Sequence, residues 1–262
     1  MAVTIVVTGR GGTGKSSFAA LASTHLQTPQ LLIDADPDES LAALLGVDLA
    51  ATGTTTISGV LYDIQTNAKK APSDLRTTPL AEQLEYLLHM DCLYESSDFD
   101  MLVLGAKWTQ GCYCHPNDIL RAILPELAAN YPVTIIDSPA GLEHLNRRII
   151  NNVGDIFAVM DPSAKSLRNV ERVKEISEQI GINFQNLYLV ANYRFDEEQT
   201  ASLANIPGTT YLGHMPHDPD VGAYDRAGQS LADLPADSVA SSAVRQILQN
   251  AGYQLREDER AI

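Results

Sequence analysis

The sequence contains few basic residues for its length. Its 262 residues include 18 Lys and Arg against 33 Asp and Glu, which gives a formal net charge of −15 at pH 7. A chain this acidic is repelled by the phosphodiester backbone of nucleic acids and by anionic lipid headgroups. The composition therefore argues against nucleic acid and membrane surfaces as partners.

Long apolar runs and cysteines are also scarce. No apolar run approaches the roughly 20 residues that a membrane-spanning helix needs. The N-terminus leads directly into a strand pattern, without the basic region, apolar leader or cleavage site of a targeting segment. Three cysteines are too few for the disulfide framework of a secreted protein. We therefore expect a cytoplasmic protein.

What the sequence does contain is a glycine-rich loop between an apolar run and a helix-forming stretch. The loop has the spacing G-x-x-x-x-G-K-S, which is the phosphate-binding P-loop when it joins a strand to a helix. Glycines permit positive φ, so successive N–H groups can point at phosphate oxygens, and the helix dipole adds to the attraction. Lys15 is expected to reach the β- and γ-phosphates, and the Ser16 hydroxyl to bind Mg²⁺. The predicted nucleotide-binding residues of the loop are Gly11, Gly12, Thr13, Gly14, Lys15, Ser16 and Ser17.

Apolar strands alternate with helical patterns along the chain. The predicted strands are 3–7, 30–34, 99–105, 133–137, 155–160, 186–191 and 211–213. This alternation predicts an α/β fold whose mostly parallel sheet is covered by helices on both faces. We predict a single domain over 1–262, with an irregular, mobile surface segment that includes some helix over about 50–79 and a cysteine-bearing loop over 108–117.

Three aspartates are predicted to lie where strands end. Asp34 and Asp36 follow the second predicted strand, and Asp137 follows the strand that begins at Val133. Parallel α/β sheets bind ligands at this carboxyl edge. In nucleotide hydrolysis one carboxylate helps to hold Mg²⁺, often through water, and another orients the attacking water. We expect Ser16, Asp34 and Asp137 to form the magnesium site, directly or through water.

The P-loop resembles that of one class of ATPases. Arg10 precedes the paired glycines, and this arrangement is similar to the deviant Walker A motif of the Min/Par partition ATPases, the arsenite-pump ATPases and the nitrogenase iron protein. In that class a lysine at this position crosses a homodimer interface to contact the partner's nucleotide. This chain has an arginine there, which keeps the charge but changes the geometry. The resemblance implies catalytic roles for Arg10, Lys15, Asp36 and Asp137, with Asp36 positioning water in switch I and 137–141 forming switch II.

The same resemblance extends to residues that would contact the base. Asn192, at the end of a predicted strand, matches the asparagine that contacts adenine in that class. Residues 213–218, which include Met215 and Pro216, resemble the loop that packs on the base. The resemblance therefore implies that Asn192, Met215 and Pro216 bind the nucleotide.

Two further segments resemble one subfamily. Residues 110–117, with the sequence QGCYCHPN, and residues 141–145, with the sequence GLEHL, are similar to segments of the CooC-type nickel-inserting ATPases that mature carbon monoxide dehydrogenase and acetyl-CoA synthase. The resemblance covers nearly the whole chain, apart from about 50–79. It implies an ATP-hydrolysing homodimer with a client metalloenzyme of the carbon monoxide dehydrogenase type.

The cysteine pair has a chemistry of its own. In an extended chain, residues two apart project to the same side, so the sulfurs of Cys112 and Cys114 can turn to one ion. Thiolates favour Zn²⁺, Cu⁺ or Ni²⁺ over Mg²⁺, and two sulfurs leave a tetrahedral site incomplete. A second copy of the pair across a dimer axis can complete the site, or His115 or Cys92 can do so within one chain. Cys92 lies next to apolar residues and also fits a buried packing role.

The leading hypothesis is therefore an ATP- and Mg²⁺-dependent metallochaperone that holds Ni²⁺ or Zn²⁺ between two subunits. One alternative is a positioning or partition switch of the Min/Par type. The acidic charge and the run 238–262, which is no basic amphipathic anchor, argue against this switch. A second alternative is an iron–sulfur carrier related to the nitrogenase iron protein, because four shared thiolates can also hold a cluster.

Overall fold

The chain folds around an eight-stranded sheet. The computed structural model describes residues 2–66, 79–106, 123–139, 152–181 and 183–256. The strands are β1 (Val3–Gly9), β2 (Gln30–Asp34), β3 (Tyr94–Glu95), β4 (Phe99–Val103), β5 (Val133–Asp137), β6 (Asn152–Met160), β7 (Asn183–Asn192) and β8 (Thr210–Met215). Their order across the sheet is β3-β4-β2-β5-β1-β6-β7-β8. All neighbours pair in parallel except β3 and β4, so the predicted mostly parallel sheet is confirmed.

Helices cover both faces of the sheet. They are α1 (Lys15–His25), α2 (Ser40–Leu44), α3 (Leu49–Thr52), α4 (Ile57–Thr66), α5 (Leu80–Leu87), a π-helix (Leu88–Cys92), α6 (123–128), α7 (Ala164–Ile180), α8 (Glu197–Leu203), α9 (Pro219–Ala227), a 3-10 helix (Leu231–Asp233) and α10 (Val239–Asn250). None of the helices in the described part of the chain is both long and apolar enough to span a membrane.

The alternation of side chains along each strand divides the core into two layers. Ile5 and Val7 of β1 pack with Phe18 of α1 on one face, where α2 and α10 also contribute. Val6 of β1 lies in the other layer, with apolar residues of α4, α5, α6 and α7. A strand buried on both faces has no polar side to alternate with, which explains why these strands appear as continuous apolar runs in the sequence.

The structure adds elements that the strand and helix patterns did not predict. Part of the segment predicted as irregular, about 50–79, forms the end of α3 and α4, while 67–78 lie outside the described residues. The short antiparallel strand β3 and the helix α8 were not predicted. The sequence also predicts a helix over 143–151, and this segment lies outside the described residues.

Candidate nucleotide site

The P-loop connects the end of β1 to the first turn of α1, as predicted. Gly9 has φ of 150°, and a Cβ built there would lie 2.2 Å from the Val159 carbonyl oxygen, so only glycine fits between β1 and β6. Gly12 and Gly14 have φ of 75° and 94°. A Cβ on Gly11 or Gly12 would meet nothing within 4 Å, so this side of the loop is open to a ligand.

The first turn of α1 keeps its N–H groups available. Gly14 is the N-cap residue, the first turn contains no acidic residue, and no side chain in the described part of the chain caps the helix. The first backbone donors of a helix lack internal partners and carry the positive end of the dipole, so they attract phosphate. Lys15, at 6% exposure, lies at the start of this turn. The geometry therefore fits a nucleotide phosphate.

Asp34 and Asp137 are neighbours at the carboxyl edge of the sheet, where β2 and β5 pair. Asp34 Oδ1 accepts the Asp36 N–H at 3.1 Å, and its Oδ2 accepts the N–H groups of Leu41 and Ala42 at 2.9 and 3.1 Å. Burial raises the pKa of Asp34 to about 7, against these hydrogen bonds. Asp34 therefore holds the loop that carries Asp36 and the first turn of α2. The prediction that it also belongs to a magnesium site stays a prediction.

Asp137, the neighbour of Asp34 in the sheet, has different surroundings. Its side chain is fully buried, and neither carboxylate oxygen has a hydrogen-bond partner within the described ranges. Burial raises the pKa of Asp137 to about 6, while the nearby Ser16 hydroxyl and Lys15 ammonium act in the opposite direction. Two unpartnered buried oxygens near a serine hydroxyl fit the oxygen ligands that Mg²⁺ requires. Ser16 and Asp137 are therefore the residues best placed to hold it.

Asp36 lies on the turn between β2 and α2. Its side chain is half-buried, its Oδ1 accepts the Asp38 N–H at 3.1 Å, and its carbonyl accepts the Glu39 N–H. The negative charge of Asp36 is close enough to raise the pKa of Asp137. A carboxylate in this position, close to Asp137 and still reached by solvent, can orient a water molecule.

Arg10 contacts its own subunit in this structure. Its Nη1 donates to Asp161 Oδ2 at 3.4 Å and to Ser163 Oγ at 3.0 Å. Both partners follow β6, so the second residue of the P-loop is attached to the neighbouring strand end. The role across a dimer interface that the resemblance implies requires Arg10 to leave these contacts.

Asn192 is fully buried, and both ends of its amide have partners. Its Nδ2 donates to the Thr13 carbonyl at 3.3 Å, and its Oδ1 accepts the Arg194 N–H at 3.1 Å. These bonds fasten the end of β7 to the P-loop. The predicted contact between Asn192 and adenine would have to share or replace one of them.

A cavity of about 190 Å³ lies beside the P-loop at the ends of β7 and β8. Gly14, Met215 and Pro216 line it, so it brings together the predicted phosphate and base residues. Tyr193 and His217 also line it and contact each other edge to face, with ring centroids 5.2 Å apart. The predicted base contacts of Met215 and Pro216 would place a base in this cavity, and they stay predictions.

The predicted metal-binding segment is not among the described residues. Cys112, Cys114, His115 and the segment 141–145 lie outside the described residues. Within the described ranges, no group of three or more His, Cys, Asp or Glu is arranged to hold a metal ion. Cys92 is 1% exposed in the π-helix and packs in the apolar layer with α4 and α5, as a buried packing role predicts.

Sequence reasoning missed Asp161, Arg194 and Tyr193. Asp161 directly follows β6 and therefore lies at the same sheet edge as Asp34 and Asp137. The rule that selected those two aspartates would also have selected Asp161. Arg194 and Tyr193 follow β7 and carry no pattern of their own.

Comparisons with known proteins agree with this geometry. A family model for the CobQ/CobB/MinD/ParA nucleotide binding domain matches residues 4–231. The chain is 32% identical over 250 residues to an uncharacterized ATP-binding protein of Methanocaldococcus jannaschii, covering 93% of this chain and 96% of that protein. It is 25% identical over 241 residues to the carbon monoxide dehydrogenase accessory protein CooC of Rhodospirillum rubrum, covering 88% and 89%.

The fold is also known from solved structures. The cell division ATPase MinD of Pyrococcus furiosus superposes with a TM-score of 0.63 at 18% identity, covering 96% of this chain and 99% of that one. At this identity the likeness concerns the fold alone. The family match spans the P-loop, Asp34, Asp137 and the cavity residues Met215 and Pro216. The chain therefore belongs to the CobQ/CobB/MinD/ParA nucleotide-binding family of P-loop ATPases.

Proposed function

We propose that this ATPase is a metallochaperone. It binds a soft divalent ion, Ni²⁺ or Zn²⁺, through Cys112 and Cys114 of two subunits, and it delivers the ion to a metalloenzyme of the carbon monoxide dehydrogenase type. ATP hydrolysis changes the relation between the two subunits and releases the ion.

The observation that carries the proposal is the cysteine pair of this chain together with its similarity to an accessory protein of carbon monoxide dehydrogenase. That similarity extends over 88% of the chain, so it includes far more than the P-loop. Thiolates are also the ligands that nickel and zinc prefer. The solved MinD structure shares only the fold, and a septum site-determining protein MinD that is 25% identical matches 72% of this chain, against 88% for the carbon monoxide dehydrogenase accessory protein.

The hydrolytic step uses the residues of the nucleotide site. The P-loop N–H groups and Lys15 bind the phosphates. Ser16 and Asp137 would hold Mg²⁺, which would supply positive charge to neutralise the phosphates. Asp36 orients the attacking water. Arg10 of one subunit contacts the nucleotide of the other and stabilises charge on the transferred phosphoryl group.

The site contacts the chain that leads towards the cysteines. The Asp34 carbonyl accepts the Leu104 N–H at 2.8 Å, and the Leu104 carbonyl accepts the Ser58 N–H of α4 at 2.9 Å. Leu104 follows β4, two residues before the described part ends at 106. A shift of the Asp34–Asp36 segment on hydrolysis would therefore act directly on the strand end from which the chain continues towards Cys112.

The decisive experiment replaces both cysteines with serine. We expect the C112S/C114S variant to lose about one soft ion per dimer, because two thiolates from each subunit complete one tetrahedral site. ATP affinity should not change, because neither cysteine belongs to the nucleotide site. Anaerobic metal analysis and equilibrium ATP binding measure the two quantities.

Cys92→Ala is the matched control, because it removes a thiol from the same chain without touching the pair. It should keep the full metal content. An unchanged metal stoichiometry in C112S/C114S would contradict the proposal. Iron with cluster absorption in the anaerobic wild-type protein would instead favour the iron–sulfur carrier.

A further inference from the structure

The Asp161 carboxylate uses its two oxygens for different purposes. Oδ1 accepts hydrogen bonds from the backbone and hydroxyl of Ser163 and from the hydroxyl of Ser166, which fixes the first turn of α7. Oδ2 faces the P-loop and is the acceptor for Arg10. Oδ1 therefore stabilises the start of α7, and Oδ2 binds a residue of the P-loop.

Two arginines approach this second oxygen. Arg10 Nη1 lies 3.4 Å from Oδ2, and Arg194 Nη1 lies 3.8 Å from the same atom. The side chain of Asp161 is 11% exposed, whereas those of Arg10 and Arg194 are 33% and 49% exposed. Both arginine side chains are therefore more exposed than the carboxylate, whose Oδ1 is bonded to Ser163 and Ser166.

Asp161 is held in its charged form. Burial acts to raise its pKa, but the hydrogen bonds from Ser163 and Ser166 and the charge of Arg10 outweigh that effect, and the pKa is lowered. A charged group with little exposure is costly to leave without a partner. If Arg10 leaves, the second arginine keeps Oδ2 paired.

Arg194 is attached to the same P-loop from the other side. Its N–H donates to Asn192 Oδ1, and Asn192 Nδ2 donates to the Thr13 carbonyl. Arg10 and Thr13 are also bonded to each other within the loop, because Thr13 Oγ1 donates to the Arg10 carbonyl at 2.9 Å. The two arginines, Asp161 and the P-loop therefore form one connected network.

We propose that Asp161 is a positioning residue for Arg10. Its Oδ2 binds Arg10 while Arg10 stays on its own subunit, and Oδ2 binds Arg194 instead when Arg10 moves to the partner's nucleotide. This inference rests on the proposed role of Arg10 across the dimer. It adds that dimerisation includes an exchange between two arginines on one oxygen.

Asp161→Asn tests the first half of the exchange. The amide oxygen can still accept from Ser163 and Ser166, but the amide nitrogen replaces the acceptor that Arg10 uses. Arg10 then keeps only its hydrogen bond to Ser163 Oγ and is held more weakly. Half-maximal dimerisation should therefore need about two- to fivefold less of an ATP analogue that cannot be hydrolysed, in line with the strength of a partly exposed ion pair. Sedimentation at increasing analogue concentration measures this, and the thermal midpoint checks the fold.

Arg194→Ala tests the second half and should have the opposite sign. Without Arg194 the carboxylate holds Arg10 more strongly and loses its replacement partner, so dimerisation should need about two- to fivefold more analogue. Arg168→Ala, which removes an exposed arginine of α7, is the control and should match the wild type. In the double variant D161N/R194A the effect of Arg194 should vanish, because its partner oxygen is gone.

The outcomes separate the inference from the proposed function. If the wild type dimerises but D161N needs as much analogue as the wild type, or more, the exchange is refuted. A shift by R194A that persists in the D161N background would refute it as well. If the wild type stays monomeric with the analogue, or Arg10→Ala dimerises as the wild type does, the proposed role of Arg10 fails and the inference falls with it.

Discussion

At the scale of single residues, the sequence predicted where the aspartates lie in the sheet but not which groups they bond. Asp34 and Asp137 end paired strands, and the sequence assigned both to magnesium. In the structure Asp34 accepts three backbone N–H groups, whereas both oxygens of Asp137 lack a partner among the described residues. The difference arises because the chain after β2 turns back over Asp34 into α2. Such a turn is a tertiary feature that an aspartate in a strand pattern does not reveal.

The environment of Asp137 leads to a pH prediction for the nucleotide-free protein. Its pKa is raised from 3.8 to about 6, so between these values the folded state binds more protons than the unfolded state and stability falls as pH rises. Asp137→Asn removes this ionisation. The variant should be more stable than the wild type by on the order of 2 kcal/mol at about pH 7.5 and equal to it at about pH 4.

Urea unfolding across this pH range measures the effect. Asp38→Asn is the control. It removes the charge of an exposed aspartate near the same site and should leave the pH slope unchanged. Mg²⁺ with nucleotide should stabilise the wild type more than D137N. A pH slope in D137N equal to that of the wild type would show that folding does not raise the pKa of Asp137.

At the scale of elements, apolar runs predicted strands well and polar stretches predicted little. β2 and β5 have the predicted bounds, because a strand buried on both faces is a continuous apolar run. α4 lies in a segment rich in Thr and Ser, and only its buried residues, such as Val60 and Leu61, mark its apolar face. α8 was missed although Asp196 and Gln199 form a capping box, a start signal that the sequence carries.

The contact between α4 and the end of β4 makes Gly105 sensitive to substitution. Gly105 has φ of 71°, and a Cβ there would lie 2.6 Å from the Thr56 β-carbon. Gly53 has φ of 73° and would meet nothing within 4 Å. Gly53→Ala should therefore cost only the left-handed backbone strain, roughly 1–2 kcal/mol, whereas Gly105→Ala should cost about 1–3 kcal/mol more because of the steric overlap.

Urea unfolding of the two variants side by side measures the difference. The comparison is matched because the backbone angle is nearly the same at both glycines. Equal losses of stability would mean that Thr56 moves away freely and that the start of α4 does not fix the end of β4.

At the scale of the whole molecule, the parallel sheet explains why distant residues form one site. The P-loop, Asp36, Asp137, Asp161 and Asn192 all follow strands and therefore meet at one edge. The sequence predicted this placement for the P-loop, Asp36, Asp137 and Asn192, but it did not single out Asp161. It did not predict the strand order, which places β5 and β6 on either side of β1 and so brings Asp137 and Asp161 to the P-loop. Strand order depends on how helices pack over both faces, and no local pattern encodes it.

The proposed cycle predicts how long the whole molecule stays dimeric with ATP. Asp36→Ala removes the carboxylate that orients water while the P-loop keeps its donors, so hydrolysis should slow by on the order of 100-fold and nucleotide binding should persist. The wild-type dimer should decay as a limited supply of ATP is consumed, whereas the variant dimer should last.

Light scattering recorded together with phosphate release follows both processes. Asp38→Ala is the control, since Asp38 donates its backbone N–H to the Asp36 carboxylate and alanine keeps this donor. The dimer of this control should decay like that of the wild type. Turnover by D36A at the wild-type rate would remove Asp36 from the mechanism, and a short-lived dimer despite slow hydrolysis would separate dimerisation from the ATP-bound state.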